Sequence, residues 1–235
     1  MFATTRWSLI LAARDRHTPA AEAALADLCA AYWYPLYAFV RHSGHDATAA
    51  EDLTQEFFAR LLEKSWLGQA DQAKGRFRSF LVTACRNFLA NEHDCERTLK
   101  RGGGRPHLSI DFRDADDRYA REPAHDLTPE RLFERRYALA LLEGVMTALR
   151  AEYAASGKEH FFDALKTTLG GKSDEATHAE MAAELGMTVS AVKVAAHRLR
   201  RRYRERLREA IAQTLDDPAG VDDEIRHLFG VVAAR

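Results

Sequence analysis

The stretch MAAELGMTVSAVKVAAHRLRRRYRERLR, from Met181 to Arg208, constrains the fold more than any other part of the chain. Gly186 has a tiny residue, Ala182, four positions before it. Met181, Leu185, Met187, Val192 and Ala195 fall where two short helices meeting at a tight turn would face each other. Thr188 is of a type that caps the helix that follows it. This pattern predicts a helix-turn-helix. Charge narrows its purpose. From Lys193 to Arg208 the sequence carries eight Lys/Arg against one Glu, although the whole chain has a formal net charge of -1. Any single arginine beyond Arg202 reads as part of a solvated helix face, but Arg200, Arg204 and Arg208 lie one turn apart and repel each other, so an anionic partner would relieve the helix. Phosphates suit, because counterions are released as they are neutralised. The second helix would offer Thr188, Ser190, Ala191, Lys193, Val194, His197, Arg198, Arg200 and Arg201 to a major groove. A bidentate Arg or Lys on a guanine edge would add about 1–3 kcal/mol of discrimination. The compensating acid must lie elsewhere, which points to a second and different partner.

The remainder also reads as helix. Thr18-Pro19 opens a helix that runs on to Tyr37–Val40, and Thr48-Ala-Ala-Glu51 is a capping-box pattern. After it Leu53, Phe57, Phe58, Leu61 and Leu62 recur at helical spacing, opposite Asp52, Gln55, Glu56, Arg60 and Glu63. A third helix, from Arg76 toward Arg101, turns Phe77, Phe80, Leu81, Ala84, Phe88 and Leu89 inward and stops at Gly102–Gly104. Residues 102–126 sustain no apolar period and read as a linker. Thr128-Pro129 starts a helix through Leu149, His160–Leu165 a shorter one, and Thr177-His-Ala-Glu180 is a second capping-box pattern. In the last twenty residues Asp222, Asp223 and Glu224 precede Ile225, Leu228, Phe229 and Val232, the pattern of a short amphipathic helix. It reads either as a plain packing helix or as a tail that folds back on the C-terminal domain with its acids near the arginines and tunes promoter or polymerase binding. No useful strand alternation and no repeat occurs. The expected fold is all-α, with two helical domains (1–101 and 127–215), a flexible linker (102–126) and a C-terminal extension (216–235).

Several classes are excluded. With 46% apolar residues the chain can bury a core. Cys29, Cys85 and Cys95 are too few for a disulfide framework, so a reducing cytoplasm is expected. The longest apolar run is interrupted by Pro35 and falls short of a membrane span, and the N-terminal MFATTRWSLILAARDR lacks a cleavage site and reads as a core-packing helix. Ten histidines include no set at zinc spacing: His93 and Cys95 point to different faces, and His42 and His45 flank a turn. Asp114, Asp116 and Asp117 read as a solvated charge run. There is no phosphate loop, nucleophile elbow or dinucleotide fingerprint. We expect no catalytic residue, metal or cofactor, and no enzyme.

AEDLTQEFFARLLEK (Ala50–Lys64), KGRFRSFLVTACRNFLANEHDCERTLKR (Lys74–Arg101) and the helix-turn-helix together resemble the sigma factors of bacterial RNA polymerase, in their two-domain extracytoplasmic-function group. That family has an EDLVQE-like helix followed by an aromatic-rich one, and Glu51–Glu56 and Phe80–Asn87 occupy those places, with Phe80 where tryptophan is usual. The resemblance implies a protein that directs promoter recognition, DNA opening and transcription initiation. Asp52, Leu53, Gln55, Glu56 and Phe57 would dock on the clamp helices of the largest polymerase subunit, and the second domain on the flap of the second-largest subunit. Lys74, Arg76, Phe77, Arg78, Phe80, Arg86 and Asn87 would hold the opened −10 strand, with Phe77 and Phe80 as stacking platforms or as core. The helix Ser190–Arg201 would read the −35 element as duplex, and the linker would thread toward the active centre. An anti-sigma factor is a candidate partner beside polymerase and promoter DNA. The rival reading is a free-standing helix-turn-helix regulator that binds an operator without polymerase.

Overall fold

The computed structural model describes residues 19–61, 77–96, 110–121, 127–170, 175–212, 214–215 and 218–233. Among them every regular element is helical: α1 (Pro19–His42), α2 (Ala47–Leu61), α3 (Phe77–Glu96), α4 (Ala115–Ala120), α5 (Pro129–Ala155), α6 (Glu159–Leu165), α7 (Glu175–Leu185), α8 (Val189–Ala212) and α9 (Val221–Ala233). Short 3-10 turns lie at Lys166–Gly170 and Pro218–Gly220. The all-α expectation holds. None of these helices is long and apolar enough to cross a membrane.

The chain forms two compact units, Ala3–Ala140 with Ile211–Arg235, and Leu141–Ala210. The sequence suggests domains over 1–101 and 127–215 with a linker at 102–126. The contact division falls inside α5, and the C-terminal helix belongs to the unit that holds α1 to α3. The cause is packing. Tyr137 stacks on Tyr32 of α1 (centroids 5.3 Å apart) and Leu132 clusters with Ala38, so the first half of α5 completes the α1 core. Leu36, Phe39, Phe57, Phe58, Leu81 and Phe88 fill that core. Phe77 meets the Tyr32 ring edge-on at 5.6 Å, and Phe57 meets Phe88 at 5.7 Å. Burying each such aromatic contributes about 2–3 kcal/mol from area alone, so this cluster fixes where α2 and α3 sit.

Part of the expected linker is docked. Phe112, Ala115 and Tyr119 follow an i, i+3, i+7 spacing that holds α4 to α1. Phe112 is buried against Trp33 and Tyr37, at 5.5 and 5.8 Å. Arg118 lies 4.0 Å over the Tyr34 ring, and Arg41 donates to Asp116 at 2.8 Å. Asp116 is thus a paired group and not merely solvated. His42, which flanks the turn after α1, ties the segment down. Its Nε2 donates to the Leu127 carbonyl at 2.6 Å, and its Nδ1 lies 3.2 Å from the Tyr119 hydroxyl.

Helix starts follow the expected chemistry but not always the expected residue. Thr128 accepts from the Arg131 amide (3.3 Å) at the start of α5, as expected. α2 is capped by Asp46, which accepts from the Ala49 amide at 2.8 Å, so Thr48 lies inside the helix. α7 begins at Glu175, two residues before Thr177. In both cases the Thr-x-x-Glu pattern lies about one half-turn inside the helix it is expected to open. The expected N-terminal helix, Thr18 cap and Gly102–Gly104 stop lie outside the described residues, as do the side chains of His93 and Cys95.

In the second unit Val145, Leu149, Phe162, Leu165, Met181, Ala182, Val192, Ala196 and Leu199 are buried. α7 ends at Gly186, whose φ of +62° is the left-handed turn conformation. The Met187 amide donates to the Ala182 carbonyl at 2.9 Å and the Gly186 amide to Ala183 at 3.4 Å, closing a Schellman motif. Thr188 then caps α8 by accepting from the Ala191 amide at 3.2 Å. Residues 186–188 thus connect α7 to α8.

Candidate nucleic-acid interface

α8 divides into two halves by charge. Val192, Ala196 and Leu199 form its buried stripe, and this turns Ser190, Lys193, Val194, His197, Arg198 and Arg201 to solvent, with Ala191 half-buried. Val194 is 49% exposed, an apolar side chain amid polar ones, as a methyl-contacting groove residue would be. Arg200 differs from its neighbours. It is half-buried and its Nε donates to the Thr168 carbonyl at 3.0 Å, so it fastens the 3-10 turn to α8. An aliphatic stem beside the apolar stripe with its head on a carbonyl explains this placement.

Three of the later arginines, Arg201, Arg202 and Arg206, are paired with carboxylates within the unit. Glu152 on α5 accepts from Arg202 at 3.1 Å and from Arg206. Glu205 pairs with Arg201 at 2.9 Å, and Glu209 with Arg206 at 2.9 Å. The Arg201 hydrogen bond holds the Glu205 carboxyl below its ordinary pKa. Carboxylates of the protein itself thus pair with Arg201, Arg202 and Arg206, which are not the three arginines, Arg200, Arg204 and Arg208, whose mutual repulsion the sequence suggests. Glu152 has no signal in the sequence: it is a single acid on a helix fifty residues away.

The second candidate surface lies on α2 and α3. Asp52 is exposed, and Leu53, Gln55 and Glu56 are half-exposed. Glu56 accepts from Arg60 at 2.9 Å, and Arg60 also pairs with Glu92 of α3. Phe57 is fully buried, so its part is to seat α2 and not to touch a partner. On α3 the exposed candidates are Arg86 and Asn87, with Arg86 at 3.8 Å from Glu130. Phe77 is core, and Phe80 is half-exposed and stacked on it at 5.9 Å. Of the two open alternatives, Phe77 takes the core one. Lys74 and Arg76 lie outside the described residues.

The family resemblance places Arg78 on the strand-binding face. It is instead buried, 4% exposed, and pairs with Glu224 of α9, itself 1% exposed. Its guanidinium also lies 5.6 Å from the Tyr137 ring centroid. Glu224 of the C-terminal extension thus reaches Arg78 of α3. No sequence pattern links residues 146 positions apart. Among the described residues no group of three His, Cys, Asp or Glu side chains could hold a metal ion.

Residues 30–97, spanning part of α1 with α2 and α3, match the family model of sigma-70 region 2. Neither curated proteins nor solved structures gave a match to the chain. Sigma-70 region 2 is a helical module of sigma factors that binds core RNA polymerase and promoter DNA, and its presence supports a sigma-factor role in promoter recognition. The matched segment holds both the acidic face of α2 and the basic residues of α3.

Proposed function

We propose that the protein is a sigma factor of the extracytoplasmic-function type, a non-catalytic subunit that selects promoters for bacterial RNA polymerase from the cytoplasm. The observation that carries this reading is the sigma-70 region 2 match over residues 30–97. In this reading Asp52, Gln55 and Glu56, exposed or half-exposed on α2, dock on the clamp helices of the largest subunit. Arg86, Asn87 and Phe80 on α3, with Lys74 and Arg76, hold the opened −10 strand. The first three turns of α8 read the −35 duplex, with Lys193, His197 and Arg198 as the reaching side chains, while the second unit meets the flap of the second-largest subunit. Division of labour follows from chemistry: a rigid helix suits the major groove of duplex, and an aromatic-bearing helix with an exposed arginine, preceded by Lys74 and Arg76, suits an unpaired strand.

Run-off transcription with core enzyme on templates bearing random upstream sequence tests the reading. Selected templates should share two short elements at a fixed spacing. Asp52→Ala with Gln55→Ala should weaken competition for core enzyme by about tenfold, a loss of about 1.4 kcal/mol, with the helical circular-dichroism signal intact. Tight operator binding by the pure protein, with no transcripts from any template, would instead identify the free-standing regulator.

A further inference from the structure

We propose that α9 is an intramolecular latch, in which Glu224 occupies the guanidinium of Arg78 in place of an anionic nucleic-acid strand, so that α9 must leave α3 before Arg78 can act. This rests on the reading of α3 as a strand-binding helix. Of the two arginines of α3, Arg86 is open to solvent and Arg78 is not. A guanidinium that is 4% exposed cannot reach a phosphate, and its ionic partner is supplied by α9. Glu224 offers what a phosphodiester offers, anionic oxygens at hydrogen-bond distance, so the two compete for the same donors.

The composition of α9 fits a reversible cover. Its inward face is Val221, Glu224 and Leu228, at i, i+3 and i+7, all buried. One carboxylate on an otherwise apolar stripe matches one guanidinium and specifies where the helix sits. Beside it His227 Nε2 lies 3.6 Å from a carboxylate oxygen of Glu134 of α5. The outward face carries Asp222, Asp223 and Arg226, with Arg226 paired to Asp223, so it is compatible with water whether α9 is docked or free. A buried ion pair contributes little net stability, because desolvation offsets the attraction. It becomes costly only when one member is left buried alone. Departure of the whole helix rehydrates both ions together, so a pair at this seam permits release, whereas an apolar pair in its place would only add adhesion.

The test measures binding of a fluorescent random-sequence single-stranded DNA to the full chain and to Glu224→Gln, Arg78→Ala and the double variant, each checked by thermal circular dichroism. If about a tenth of the wild type is unlatched, Glu224→Gln should bind about tenfold tighter. The double variant should lose that gain, because the gain acts through Arg78. Equal affinity of wild type and Glu224→Gln, including equally undetectable binding, overturns the latch. A second measurement does not depend on a variant folding. Amide exchange at residues 225–232 of the wild type should accelerate when core enzyme and a forked duplex are bound, and unchanged or stronger protection overturns the latch. Run-off transcription separates the two failures. Absence of transcripts from every protein sinks the sigma-factor reading, whereas equal transcripts with equal DNA affinity sink the latch alone.

Discussion

Gly186 sets the turn between α7 and α8, and replacing it isolates a single physical cost. Its φ is +62°, and a Cβ built there meets no atom within 4 Å. Gly186→Ala therefore introduces no clash with neighbouring residues, and its penalty comes from the residue's own backbone. Holding an L-residue in the left-handed region costs about 1–2 kcal/mol. The less flexible unfolded chain returns about 0.4–1 kcal/mol. The net expectation is a destabilisation of about 1 kcal/mol. For a unit the size of Leu141–Ala210 that corresponds to a drop in Tm of about 4–8 °C. Gly186→Asn should lose less, because its short polar side chain tolerates the left-handed region, and Gly186→Val should lose more. Urea unfolding followed by amide exchange in α7 and α8 gives the stability of this unit separately from the other. A Gly186→Ala protein as stable as wild type would refute the left-handed turn, and with it the placement of Thr188 as the cap of α8.

Lys193→Ala with Arg198→Ala should weaken binding to duplex DNA and lower the log–log salt slope by about 2, one for each phosphate no longer neutralised; an unchanged slope removes both from the interface. Arg200→Ala should instead reduce stability by about 1 kcal/mol, because the Thr168 carbonyl is left without its donor, and leave that slope alone. Tyr37 has its pKa pushed up to about 12, first by burial and then by the Asp116 charge. Its folded value lies above the ordinary one, so its contribution is complete below about pH 10 and is lost as pH rises toward 12. Urea midpoints compared at about pH 9 and pH 11 should fall less for Tyr37→Phe than for wild type. Burial raises the thiol of Cys29 to about 12 and pushes that of Cys85 up as well. Alkylation at about pH 8, mapped by peptide, should be about a hundredfold slower at both in the native protein than in urea.

The helices were legible because apolar spacing of three and four residues survives in a single sequence, and α8 shows this most plainly. The turn at Gly186 was legible for the same local reason: a glycine, a small residue before it and a capping threonine after it. The cap of α2 was displaced because Asp46 and Thr48 are both capping types within one half-turn, and propensity does not choose between them. The docked segment carried its own signal in Phe112, Ala115 and Tyr119, but three apolar positions among so many charges fall below what a periodicity argument can use. Least legible were the fates of individual charges. Arg78, Arg200, Arg202 and Arg206 look like ligand-seeking cations in sequence, yet each has a partner supplied by a distant part of the chain. A sequence displays how much charge a helix carries, while the residual field depends on which acids the fold brings alongside.

The return of α9 to α3 also bears on the order of events during synthesis. Arg78 leaves the ribosome long before Glu224, which follows it by 146 positions, and domains generally fold from the N-terminal end as they emerge. For that interval a nascent chain presents α3 without its cover. A pool of incompletely translated or proteolytically shortened polypeptides would then behave, at this helix, unlike the finished molecule.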